Sequence, residues 1–280
     1  MYAKAIVSFA FLAVAVANVQ PQVDLQMPIS PRLSPFETRV IGGSAAPVGR
    51  YPYIVSLQSR GQHFCGGSIL NNRTIITAAH CVDTNKNPGL LTVKAGKSII
   101  NTKEATEQTV SVQKIHVHEK YKGGVGPYDI AILKLKTPLK LNDNVRAIVL
   151  PQANSEPTGV AWLSGWGSIS TTKVPKMPTK LQHVQMQYVD RKTCDKALSK
   201  LMRTSRSGVH ETNICTGPLN KQISACYGDS GGPLISYVGG KPVINGIVSW
   251  GINPCGTPGA PSVYTRVSSF NNWITQKARN

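Results

Sequence analysis

Between residues 53 and 267, short runs rich in β-branched and aromatic residues recur between glycine- and proline-containing turns. This rhythm limits the folds open to the chain more than any other feature. The runs fall at 53–58, 68–77, 91–95, 109–117, 130–135, 160–166, 184–189, 243–250 and 262–267. Strands so short and so numerous predict an all-β sandwich or barrel. A helix is expected at the end, about 267–278, where Val267, Phe270, Trp273 and Ile274 repeat at helical spacing. Ser268 or Ser269 can cap its start, and Lys277 and Arg279 suit its carboxyl end. A chain of 280 residues is long enough to bury such a core.

The amino-terminal residues do not share this rhythm. Lys4 precedes the apolar run 5–16, and Ala15, Val16 and Ala17 supply small residues for a cleavage point. Residues 1–17 are therefore expected to be a removed signal peptide, and the protein to be secreted. Residues 18–39, rich in proline and glutamine, suit an extended or disordered segment. Export permits disulfides, and Cys65, Cys81, Cys194, Cys215, Cys226 and Cys255 form an even set without a CxxC metal-ligand spacing. Spacing alone does not choose among their pairings. Asn72-Arg73-Thr74 is a glycosylation sequon in a polar turn, which makes Asn72 a candidate acceptor.

The formal net charge of +18 attracts polyanions, so nucleic acid has to be weighed. Its basic residues are scattered over 134–140, 173–180 and 196–206, without zinc-knuckle, RNP or basic-helix context. No dedicated nucleic-acid or membrane partner is expected.

Three segments join a reactive side chain to unusual surroundings: "TAAHC" with His80, "YDIAILKL" with Asp129 and "GDSGGPL" with Ser230. A serine hydroxyl needs a neighbouring base, which His80 can be. A histidine that becomes charged needs a fixed tautomer and a compensating anion, which Asp129 can supply. The glycines around Ser230 leave backbone N–H groups open, so Gly228 and Ser230 can donate to the oxyanion of an attacked carbonyl.

"VIGG", "TAAHC", "DIAIL", "GWG", "GDSGGPL", "SWG" and "VYTRV" together give the chain from Val40 onward a resemblance to the secreted serine proteases of the chymotrypsin family, arthropod digestive and venom members among them. The resemblance implies an all-β fold of two packed six-stranded antiparallel β-barrels with a carboxyl-terminal helix. The first barrel would span about 40–150, with His80 and Asp129, and the second about 151–266, with Ser230. It implies the pairs Cys65–Cys81, Cys194–Cys215 and Cys226–Cys255, each contributing about 3 to 4 kcal/mol in the chain-entropy account. It makes residues 18–39 an activation pro-segment and 40–280 the catalytic domain. Cutting between Arg39 and Val40 would release an amino group that pairs with Asp229. Before the cut, Asp229 would face His63 and Ser56, leaving an inactive precursor.

The same resemblance makes Ser224 the floor of the primary specificity pocket. A neutral floor cannot pair with a substrate Lys or Arg, so large apolar or aromatic residues (Phe, Tyr, Leu, Met) are expected instead. Gly251 keeps the entrance open, and small, neutral Ala225 adds no countercharge. Ser262 stands where the pattern has glycine and narrows the base. Trp250 and Gly251 would offer backbone to the substrate, and Ser249 would help fix Asp129. The wide Cys194–Cys215 interval, with Lys200, Arg203 and Arg206, is expected to lengthen a rim loop. Lys97 falls near where calcium-binding members supply a carboxylate, so neither metal nor cofactor is expected. The partners implied are protein or peptide substrates, a trypsin-like activating protease and protein protease inhibitors, acting on a monomer. An elastase-like or collagenolytic protease, or a cationic polyanion-binding protein on a protease scaffold, are the alternatives.

Overall fold

A computed structural model of the chain describes residues 41–85 and 87–279. The expected signal peptide, the pro-segment, Arg39 and Val40 lie outside the described residues. Thirteen strands and two α-helices are seen among those described. In chain order they are β1 (Ser44–Ala45), β2 (Ile54–Ser59), β3 (Gln62–Asn71), β4 (Thr74–Thr77), β5 (Leu91–Ala95), β6 (Gln108–Val117) and β7 (Ala131–Leu135). Then follow β8 (Val160–Gly165), β9 (Gln182–Val189), α1 (Arg191–Met202), β10 (Asn213–Gly217), β11 (Pro233–Val238), β12 (Lys241–Trp250), β13 (Ser262–Arg266) and α2 (Asn271–Arg279).

The first six-stranded barrel closes in the order β2-β3-β4-β7-β6-β5. The second runs β8-β9-β10-β13-β12-β11 and returns to β8, with β1 added along β9. All the strand pairs are antiparallel, as expected. Alternation explains the inward faces: in β5, Leu91, Val93 and Ala95 are buried while Thr92 and Lys94 are half-buried. Val55, Leu57, Ile69, Val93 and Leu133 fill the first barrel, and Leu163, Met186, Leu234 and Tyr264 the second. A third cluster joins Ile76 and Ile130 to Trp166, Ile235, Ile247 and Phe270, binding the barrels along their seam. Each large apolar side chain buried there is worth about 1.5 to 3 kcal/mol.

Several strands escape the sequence pattern for identifiable reasons. The run at 68–77 is two strands, because Asn72 and Arg73 form a tight exposed turn between β3 and β4. The start of β3 contains Gly66 and Gly67, which lack side chains because their neighbours come too close. A β-carbon on Gly66 would stand 2.9 Å from Gly232 Cα, and one on Gly67 2.9 Å from an Ile75 methyl. β10 and β11 begin with Asn213 and Pro233, poor strand formers, and were also missed.

Two local expectations need correction. The Cys194–Cys215 interval is not a plain lengthened loop: residues 191–202 form α1, with Asp190 capping it by accepting the Thr193 N–H at 2.9 Å. Its inward Cys194 and Leu198 are buried, and it ends at Arg203 in the left-handed region, φ 55°. At the carboxyl end, Val267–Phe270 is a 3₁₀ turn before α2, and neither serine caps it. The Ser268 hydroxyl instead donates to the Ser155 carbonyl at 2.6 Å.

The disulfides are Cys65–Cys81, Cys194–Cys215 and Cys226–Cys255. The Lys97 ammonium is buried inside its own loop, donating to the Thr102 carbonyl at 2.6 Å and to Glu107, with Glu104 3.8 Å away. Burial pushes the Glu107 carboxyl up, but the bonds from Lys97, Lys94 and Thr109 outweigh it and hold the group down at about 2.

Candidate active site

His80 sits in a one-turn 3₁₀ helix directly after β4, and Asp129 directly before β7. Because β4 and β7 pair from Thr77↔Ala131, the two residues meet at one end of the first barrel. Asp129 is fully buried and accepts from the His80 backbone N–H at 2.9 Å, from His80 Nδ1 at 2.7 Å and from the Ser249 hydroxyl at 2.6 Å. A carboxylate can only accept, so the bond to Asp129 fixes a proton on Nδ1 and leaves Nε2 as the nitrogen that can take one up. The Thr265 hydroxyl donates to the Asp129 carbonyl at 2.7 Å, tying this corner to β13 of the second barrel.

Ser230 lies on the turn that precedes β11. Its carbonyl accepts from the Gly66 N–H at 2.7 Å, and Gly231 N–H donates to Val248 at 2.9 Å. Gly231 has φ +76°, and a β-carbon on it would lie 2.2 Å from Thr77 Oγ1, three residues before His80. Only glycine lets the serine turn come this close to the histidine turn. Ser230 and His80 share no hydrogen bond in this structure, a contact that commonly tightens only with substrate.

The backbone amides of the turn separate into two groups. Those of Asp229, Gly231 and Gly232 donate to the Cys226, Val248 and Asp229 carbonyls, each at 2.9 Å. Those of Gly228 and Ser230 donate to no group among the described residues. Two uncommitted donors flanking a serine are the equipment for holding a developing oxyanion. Gly228 has φ +93°, and its carbonyl lies 3.0 Å from His63 Nε2. A carbonyl cannot donate, so His63 carries its proton on Nε2 and its Nδ1 accepts from Ser56, 2.9 Å away. Burial lowers the pKa of His63 and keeps it neutral.

His63 was expected to face Asp229, and this is corrected: its proton goes to the Gly228 carbonyl. Asp229 accepts from Gly167 N–H at 2.8 Å and Cys226 N–H at 3.0 Å. The glycines of "GWG" make room for it, since a β-carbon on Gly165 or Gly167 would fall within 2.1 to 2.3 Å of its carboxylate group. Desolvation pushes the Asp229 carboxyl up to about 6, against the pull of the two amides. Ile41, the second residue after the expected cut, is buried beside Cys226 and Cys255 and bridges to Ser224.

A cavity of about 230 Å³ opens beside Ser230, walled by Ala225, Tyr227, Ser249, Trp250 and Gly251. No acidic residue lines it. Nothing lies within 4 Å of where a Gly251 β-carbon would stand, so the entrance is open. Ser224 and Ser262 do not line the open space. Each is buried, Ser224 Oγ accepting from Gly256 N–H at 2.8 Å and Ser262 Oγ from Ala225 N–H at 3.0 Å. A larger cavity of about 790 Å³ lies along β8, β11 and β12, but it includes none of His80, Asp129 and Ser230.

Sequence reasoning missed three contributors. Val125, exposed in the Gly123–Gly126 stretch, lines the cavity, as does Ile252. The methyl of Met177 would stand 2.9 Å from a β-carbon on Gly228 and so covers the turn bearing the uncommitted amides. The glycine stretch so near Asp129 was a signal for Val125; Met177 had none. His80 also lies near the sulfurs of Cys65 and Cys81, but these are joined and offer no thiolate to a metal.

Residues 40–274 match the family described as Trypsin. The chain is similar to Trypsin-1 of Astacus astacus, 37% identical over 85% of this chain and 100% of that one. It is similar to coagulation factor IX of Oryctolagus cuniculus, 37% identical over 84% of this chain and 83% of that one. Transmembrane protease serine 11G of Rattus norvegicus is 35% identical over 87% of this chain, which spans 56% of that relative's length.

Proposed function

Since the chain belongs to the trypsin family and is a serine endopeptidase, we propose that Ser230 is its nucleophile, His80 the general base and Asp129 the group that orients and compensates the histidine. Ser230 attacks the scissile carbonyl while its proton passes to His80 Nε2. Gly228 and Ser230 N–H hold the oxyanion, and His80 returns the proton to the leaving amine, giving an acyl-enzyme that water then hydrolyses. Support comes from the His80–Asp129–Ser249 bonds and from the two uncommitted amides.

The preferred substrate residue is large and apolar or aromatic. The observation that carries this reading is the neutral lining of the pocket: no carboxylate lines the cavity, and Ser224, just outside the open space, spends its hydroxyl on Gly256 N–H. Leaving a substrate cation unpaired there costs several kcal/mol. An elastase-like or collagenolytic preference is the second reading, favoured by the buried Ser262 beside Ala225.

The protein is secreted after loss of residues 1–17, acts as a monomer and is made as a precursor. A trypsin-like enzyme cuts after Arg39, because a pocket that rejects Arg does not activate itself there. Protein substrates and protein inhibitors occupy the cleft, and the exposed Asn72 in the β3–β4 turn is a glycan acceptor. No described helix is long and apolar enough to cross a membrane. The test is a cleavage profile of the protein activated after Arg39 on denatured casein. Cuts after Phe, Tyr, Leu or Met are expected, with Ser224→Asp shifting them toward Lys and Arg by about a hundredfold. Cuts mainly after Lys or Arg in the unsubstituted protein refute the assigned preference.

A further inference from the structure

The helix α1 has two contrasting faces. Cys194 and Leu198 are buried against Cys215 and Val263, with Trp250 and Ile252 of the cleft wall packed beside them. On the opposite face Lys192, Lys196 and Lys200 follow at four-residue spacing, all exposed, and exposed Arg203 and Arg206 continue the row past the helix end. At helical rise the lysines stand about 6 Å apart along the axis. None of the five makes an ion pair or a side-chain hydrogen bond among the described residues. The carboxylates of the segment are committed elsewhere: Asp190 caps the helix, and Asp195 accepts the N–H and O–H of Ser207.

Helix stability does not account for the row. Cations favour the carboxyl end of a helix, which suits Lys200 and Arg203, but Lys192 sits in the first turn, where positive charge is unfavourable. We propose that this ridge is a docking surface for an anionic polysaccharide. A convex helix side offers neither the groove nor the open sheet edge that peptide recognition uses. The five residues include no aromatic ring on which a base can stack. A flexible polymer bearing sulfates or carboxylates needs only the charges. Because the other face of α1 packs on Trp250 and Ile252, a bound polymer runs alongside the outer wall of the cleft. The inference rests on charge placement and stands independently of the assigned substrate preference.

The full chain carrying Ser230→Ala, which prevents self-digestion, is titrated calorimetrically with a heparin oligosaccharide at two salt concentrations. Replacing Lys192, Lys196 and Lys200 together by Gln is expected to weaken binding about tenfold or more and to lower the salt slope by about two counterions. Replacing exposed Lys173, Lys176 and Lys180 by Gln removes the same charge elsewhere and is expected to change affinity less than twofold. Arg203→Gln with Arg206→Gln, outside the helix, is expected to weaken binding about threefold, which guards against a helix variant that fails to fold. Equal losses in the ridge and control sets, or no loss in the ridge sets, overturn the proposal. So does tighter binding of single-stranded DNA or polyglutamate of matched charge at the same salt.

Discussion

Asp129 and Asp229 are both buried carboxylates of the candidate active site, yet their surroundings are of different kinds. Asp129 meets three donors, one of them an imidazole able to take up a positive charge, drawn from both barrels. Asp229 meets two backbone amides, both neutral, and burial drives its carboxyl up to about 6. The first arrangement is complete through side chains the fold already holds. The second orders the oxyanion turn while keeping an ionised carboxylate under strain from desolvation. A new amino terminus at Val40 would supply the positive charge that Asp229 lacks among the described residues. On the proposed reading, that difference separates an acid–base pair the fold already holds from a turn whose stability a cut after Arg39 would set.

The sharpest way to break this comparison is at the complete site. Asp129→Asn keeps the shape but reverses the His80 tautomer, and kcat of the activated protein is expected to fall by about 10⁴-fold, the scale known for that change in such triads. Unchanged kcat would remove Asp129 from the mechanism. At the other carboxylate, Asp229→Ala in the activated protein is expected to cost about a hundredfold or more in kcat/KM through loss of the ordered turn. The His80 Nδ1 proton resonance should persist in this variant; its loss would mean the two regions are not separable.

A smaller effect is the pH dependence of the uncut chain. The folded-state pKa of Asp229 lies above its unfolded value, so the turn is most stable below the ordinary carboxylate range and loses stability as pH rises through about 6. The loss is about 3 kcal/mol, read as increased amide exchange at Asp229 to Gly232 between pH 4 and 7. Exchange independent of pH after correction for chemistry would contradict the assignment. In the cut protein the ammonium offsets the loss, and the Asp229 carboxylate keeps that ammonium protonated to a pH above the free α-amino range.

Legibility in the sequence follows the same division. Strands with alternating or β-branched runs, such as β5 and β7, were read at their observed positions. The beginning of β3 was not, because Gly66 and Gly67 serve the close approach of the second barrel and carry no periodic signal. His80, Asp129, Ser230 and Ser249 stand in local motifs, and the fold brings the histidine, the aspartate and Ser249 into contact. The partners of Asp229 were misread because they are main-chain N–H groups of Gly167 and Cys226. A sequence shows where a carboxylate is, but not which amide a distant turn will offer it. The Lys192–Lys196–Lys200 row became visible only once residues 191–202 proved helical.

The central claim is that one positive charge, released at Val40, completes the oxyanion turn that Asp229 holds in waiting. It is tested most directly by comparing hydrolysis of a small Phe-containing peptide substrate by the protein cut after Arg39 and by an Arg39→Gln chain left whole. The account predicts at least a hundredfold higher kcat/KM after the cut. Equal activity in the intact Arg39→Gln chain would contradict it.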